Sequence, residues 1–172
     1  MKAFIVYESQ FGNTAKIANA IAKGMKHHLE VEVHNVTDPD RPSGADLLVV
    51  GGPTHAFSLS RASTRADAVK QGAKAADTDV GLREWLDGLA AVDGIPFATF
   101  DTRVDIVRKL PGSAAKAATK RARKLGYSPI TRPESFYVQD VSGPLLEGEL
   151  NRAEVWGGQL GQLFRGEPRS WG

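Results

Sequence analysis

Ser9-Gln10-Phe11-Gly12-Asn13-Thr14 is the stretch of this chain whose residue types and spacing converge most clearly on one chemistry. It follows the nearly continuous apolar run Lys2 to Tyr7, and it precedes Ile17, Ala20, Ile21, Gly24 and Met25, an apolar stripe at helical period. The hexad therefore joins a buried strand to a helix. The first backbone N–H groups of a helix have no partner within it and lie at the positive end of its dipole, so such a turn is a ready anion site. Ser9 and Thr14 add hydroxyl donors, Gly12 permits a left-handed turn, and Asn13 suits a turn or a cap. The hexad holds no lysine or arginine. A phosphate there would be held by neutral donors and the helix dipole.

Other chemistries lack their residues. Gly-x-x-x-x-Gly-Lys-Ser/Thr is absent, as are a Gly-x-Gly-x-x-Gly after a strand and a Gly-x-Ser-x-Gly elbow. With no cysteine, disulfides, thiolate metal sites and cysteine nucleophiles are excluded, and the four histidines fall in no metal-ligand spacing. No catalytic residue and no metal site is expected, and redox chemistry would need a borrowed cofactor. The 172 residues, 41% hydrophobic and 24% charged, suit one domain over residues 1–172. Apolar runs are far shorter than the ~20 residues of a membrane span, so a cytoplasmic protein without membrane contact is expected. The net charge of +2 draws on Lys116, Lys120, Arg121, Arg123 and Lys124, which lie on an Ala-rich helical stretch without interleaved aromatics. That pattern reads as a solvated helix face rather than a nucleic-acid site.

The positioning elements alternate. Strands are expected at Lys2 to Tyr7, Leu29 to Val36 (an edge strand by its alternation), Leu47 to Val50, Ile95 to Phe100 and Glu134 to Gln139. Helices are expected from Thr14 to about Lys26, Ala62 to Ala75, Leu82 to Leu89, Pro111-Gly112-Ser113 through Lys124, and Glu149 to Phe164. The segment 38–44 breaks the chain, and Gly157, Gly158 and Gly161 would let the last helix pack closely on the sheet. Five strands alternating with helices imply an α/β doubly wound parallel sheet covered on both faces. Ligands bind at the carboxyl ends of such strands, so three loops should converge: Ser9 to Thr14, Pro53 to Ser60, and Thr99 to Arg103.

Ile5-Val6-Tyr7-Glu8 followed by the hexad resembles the start of flavodoxins, in which a Ser/Thr-rich loop ending Gly-Asn-Thr wraps the FMN phosphate. Val49-Val50-Gly51-Gly52-Pro53-Thr54 looks like the family's second flavin loop and Thr99-Phe100-Asp101-Thr102 like its third, while the short link from Lys124 to Glu134 looks like the short-chain form. The resemblance implies a flavodoxin-like fold with strand order 2-1-3-4-5, FMN as cofactor, and Pro53, Thr54, His55, Ala56, Phe57, Thr99, Phe100, Asp101, Thr102 and Arg103 joining the hexad in the site. The chain departs from that family in two respects. His55 and Phe57 stand about where the second-loop aromatic falls, and Val104 stands where a third-loop tyrosine is usual. Arg61, Arg65 and Arg103 lie in or beside loops that are usually acidic, where they either tune the flavin, attract an anionic partner or the phosphates of a nicotinamide dinucleotide, or are ordinary surface charges.

The expected function is electron transfer through non-covalently bound FMN, with a redox partner protein or a small-molecule electron donor or acceptor. The alternatives are an FMN-dependent NAD(P)H or quinone oxidoreductase, which needs a pocket over the flavin face, and a flavin-binding interaction module without turnover.

Overall fold

The computed structural model describes residues 1–39, 43–73 and 78–166. Parts of two expectations, the break at 38–44 and a helix reaching Ala75, fall outside the described residues. In chain order the elements are β1 (Lys2–Tyr7), α1 (Asn13–Met25), β2 (Glu30–Asn35), β3 (Leu47–Pro53), α2 (Ala62–Lys70), α3 (Leu82–Asp87), β4 (Pro96–Val104), α4 (Ala114–Lys124), β5 (Ser128–Pro129), β6 (Glu134–Val138) and α5 (Glu149–Arg165). A single 3-10 turn, Asp105–Val107, follows β4.

All pairings between these strands are parallel, in the order β2-β1-β3-β4-β5, with β6 also on β4. The doubly wound sheet is therefore as expected, but its fifth lane is split into two strands. β5 lies beside Pro96 and Phe97, and β6 beside Phe100 to Val104. Pro129 and Pro133 flank the break; neither has an N–H to give to a continuous ladder.

β4 also runs further than its apolar core predicts. Asp101 and Thr102 pair with Gly52 and Pro53 of β3 on one side, and residues 101–104 pair with β6 on the other. Two long neighbours extend a strand through polar residues that read locally as a loop. The consequence is alternation: successive side chains from Thr99 to Arg103 point to opposite faces.

The sheet carries a core on each face. One gathers Ile17, Ile21 and Met25 of α1 with Ala153, Trp156 and Leu160 of α5 over Ile5, Val49 and Phe100. The other gathers Leu82, Trp85 and Leu86 of α3 with Ala114, Ala118 and Ala122 of α4 over Val6, Val50 and Phe97. The glycines of α5 serve a different contact from the one expected: they admit α1, not the sheet. A Cβ on Gly157 would lie 2.1 Å from the Ile21 carbonyl oxygen, and one on Gly24 would lie 1.9 Å from that of Glu154. Gly158 itself has ordinary room, while a Cβ on Gly161 would press on His28.

Candidate functional site

The carboxyl ends of β1, β3, β4 and β6 open onto a cleft lined by Gln10, Phe11, Asn13, Thr14, Pro53, Thr54, His55, Thr102, Arg103, Val104, Val138 and Val141. The first wall is the hexad. Gly12 sits at φ 92° as the residue before α1, the left-handed geometry its type allows. The Ser9 hydroxyl oxygen accepts from the N–H of Gly12 at 3.1 Å and of Ala15 at 3.3 Å, which leaves its own hydrogen to donate elsewhere. Among the described residues, the backbone N–H groups of Gln10, Phe11, Asn13 and Thr14 have no acceptor. Donors left open in the loop and in the first turn of α1 make a ready anion site.

The start of α4 shows what a filled helix end looks like in this chain. Ala114 N–H donates to the Thr54 hydroxyl at 2.9 Å, Ala115 N–H to Asp101 Oδ2 at 2.9 Å, and Lys116 N–H to its cap Ser113 at 3.3 Å. The protein supplies its own anion there. α1 receives none.

The second wall is Pro53, Thr54 and His55. A tight turn closes it, with reciprocal backbone bonds between His55 and Ser58 and with Ala56 and Phe57 at φ 46° and 60°. Neither Ala56 nor Phe57, both predicted site residues, is among the cleft's lining residues. Phe57, 46% exposed, lies outside the cleft against Gly112. His55 does line it, and burial holds its imidazole pKa below the usual 6.5; Glu8 partly opposes that shift and Arg65 adds to it.

The third expected loop is a strand, and strand alternation sorts its residues. Thr102 reaches the cleft and shares a 2.8 Å hydrogen bond with the Thr14 hydroxyl, tying the first wall to the third. Arg103 also lines the cleft, but its guanidinium donates to the carbonyls of Val107 and Leu110 and the residue is 5% exposed. The side chains of three other candidates lie elsewhere. Thr99 is buried against Thr119 at 2.8 Å, Phe100 packs on Phe136 and Trp156 in the core, and Asp101 is fully buried as the cap of α4. Burial pushes the Asp101 carboxyl pKa up, against the bonds from Ala115, Ser113 and Ser135 and the charge of Arg103.

Arg65 is likewise no rim residue. Its exposure is 0%, and it donates to the Ser60 hydroxyl, the carbonyls of Thr78 and Asp79, and Glu84. The hydroxyl of Ser60 in turn donates to Glu8, whose carboxylate also accepts from Gln10 and from the N–H of Leu82. This buried network holds the second wall from beneath. Sequence reasoning missed Glu8, and also the fourth wall: after β6 the chain doubles back, with Gln139 N–H on Pro144 O and Leu146 N–H on Tyr137 O. That hairpin sets Val138 and Val141 into the cleft and the carbonyl of Ser142 on the Asn13 amide at 3.2 Å. The turn-forming run Asp140-Val141-Ser142-Gly143-Pro144 was the available signal.

Open donors at the carboxyl edge of a parallel sheet in the order 2-1-3-4-5 define a flavodoxin-like α/β fold. The comparisons agree. The model of the flavodoxin domain matches residues 4–65, which include most of β1, the hexad and the second wall. No curated protein matches the chain. Among solved structures, a flavodoxin from the domain Archaea superposes with TM-score 0.65 at 18% identity, covering 96% of this chain and 99% of that one. A flavodoxin from Pseudomonas aeruginosa gives 0.67 at 13% identity, covering 96% and 99%, and a short-chain flavodoxin associated with a non-canonical PDU bacterial microcompartment gives 0.63 at 15%, covering 91% and 94%. At such identities the likeness is one of fold. Among the described residues no helix is long and apolar enough to cross a membrane.

Proposed function

We propose that the chain binds FMN non-covalently and acts as an electron carrier. The observation that carries this proposal is the run of N–H groups without a protein acceptor at Gln10, Phe11, Asn13 and Thr14, residues that line a cleft whose other lining includes Pro53, Val104, Val138 and Val141. The residues fit the group. The hexad would hold the phosphate without a cationic side chain, and Phe11, Pro53, Val104, Val138 and Val141 would meet the ring system. Bound FMN supplies the capacity to accept and release electrons; the chain supplies orientation and the local field. His55, held neutral by burial, adds no charge beside the ring at neutral pH.

The cleft is open to solvent along its length rather than closed over. A flavin held there would keep an edge in water, which suits electron transfer to a partner. Fluorescence titration with FMN and riboflavin tests the binding. FMN should bind far more tightly than riboflavin, and Ser9→Ala should weaken FMN by about tenfold to a hundredfold, one hydrogen bond to a charged acceptor, while sparing riboflavin. Equal affinity for the two flavins removes the argument. Steady-state NAD(P)H oxidation with quinones separates carrier from oxidoreductase: sustained turnover would replace the carrier assignment with the enzyme one.

A further inference from the structure

Beside the second wall, on the face that carries α3 and α4, lies an open hollow of about 280 Å³ lined by Ser58, Arg83, Ala117, Lys120, Arg121 and Lys124. Ala117, Lys120, Arg121 and Lys124 follow the 3-and-4 spacing of one face of α4, so the basic stripe of this helix is turned into a concavity rather than spread over a convex surface. Arg83 meets it from α3 with its side chain already fixed: Nε donates to Ser60 O at 3.1 Å and Nη2 to Leu59 O at 2.8 Å. Among the described residues, the two α3 carboxylates beside it are already engaged. Glu84 accepts from Arg65 and from Gly81 N–H, and Asp87 pairs with Arg121 at 3.1 Å. Among the described residues neither Lys120 nor Lys124 has an ion pair. Arg83 registers the crowding: burial, then the charges of Arg121 and Arg61, hold its pKa below the usual arginine value, with Glu84 and Asp87 only partly offsetting them.

We propose that this hollow is a second anion site, separate from the flavin cleft, that takes a phosphate-bearing small molecule. A guanidinium on a fixed stem offers the planar donor pair that phosphate oxygens accept, and two mobile ammonium groups neutralise the remaining charge. The hollow has no aromatic side chain in its lining on which a base of a nucleic acid could stack, and its size suits a phosphoryl group with its substituent rather than a polymer track. The ligand's source is either free inorganic phosphate or the phosphate of a nucleotide. The tight turn from His55 to Ser58 divides the two sites, since His55 lines the cleft and Ser58 the hollow.

Calorimetry and amide NMR at low ionic strength, with inorganic pyrophosphate and with adenosine 2′,5′-bisphosphate, test this. The expected result is saturable binding with shifts at Arg83, Lys120 and Lys124, separate from any at the phosphate loop, weakened about fivefold by Lys120→Gln and again by Lys124→Gln. Ser9→Ala should leave it unchanged, which separates this site from the phosphate loop whether or not FMN binds there. Tighter binding of the bisphosphate assigns the ligand to a nucleotide, and equal binding to inorganic phosphates. Arg123→Gln, which alters an exposed α4 charge outside the hollow, should have no effect. The proposal is overturned by non-saturating binding, by equal weakening in Arg123→Gln, or by loss of binding in Ser9→Ala.

Discussion

Glu8→Ala should lower the unfolding free energy by about 3 to 5 kcal/mol, the usual cost of removing one partner from a buried charged network. Glu8 is 2% exposed, and its two oxygens join three separate pieces of chain. Oε1 accepts from the Ser60 hydroxyl at 2.5 Å and the Gln10 amide at 3.0 Å; Oε2 accepts from Leu82 N–H at 2.7 Å. Alanine leaves the Leu82 and Gln10 donors without an acceptor, at about 1 to 3 kcal/mol each. It also leaves the fully buried Arg65 to Glu84, whose side chain is 37% exposed and so better screened. Arg65 keeps its bonds to Ser60, Thr78 and Asp79, which holds the total near the single-partner figure rather than the sum. With a urea slope of about 2 kcal/mol/M, the midpoint should fall by about 1.5 to 2.5 M. Glu8→Gln retains an acceptor for Leu82 and should fall by less. FMN affinity should drop in the alanine variant as well, because Ser60 anchors the end of the second wall. A Glu8→Ala midpoint within about 0.3 M of the parent would refute the reasoning, since the carboxylate would then contribute no net stability where three donors converge on it.

Two further perturbations probe the packing and the site. Gly24→Ala places a methyl group 1.9 Å from the Glu154 carbonyl oxygen and should cost at least about 1 to 3 kcal/mol by overpacking, measured by chemical denaturation; a neutral result would mean that α1 and α5 separate without penalty. Because burial lowers the folded-state pKa of His55 below its unfolded value of 6.5, the unfolded chain binds the proton first as pH falls. Stability should therefore be full above pH 6.5 and decline as pH falls through the folded pKa, and His55→Gln should remove that part of the slope in a pH series of urea melts. An unchanged slope in His55→Gln assigns it to other groups.

Much of this protein is legible in its order of residues because the signals are local. The hexad is contiguous, so its strand, turn and helix start can be read without knowing what lies opposite; Gly12 is found in the left-handed turn its type allows. Alternation of apolar runs and amphipathic stretches fixes a parallel sheet covered on both faces, since few topologies bury such runs. The arginines show where that reasoning ends. Arg61 and Arg65 are four residues apart in one basic stretch, yet Arg61 is exposed while Arg65 is fully buried on acceptors up to 19 positions away. Thr99, Asp101 and Thr102 differ in the same way: only the pairing of β4 with β3 and β6 makes them strand residues, sending Thr102 to the cleft and Asp101 to α4. The decisive contrast between two helix starts, one filled by Asp101 and Thr54 and one left open, is a contrast between partners brought together over dozens of residues. Residue type and period determine which groups carry donors and acceptors; which donors go unanswered depends on every chain segment that reaches them, and that sum exists only in the folded molecule.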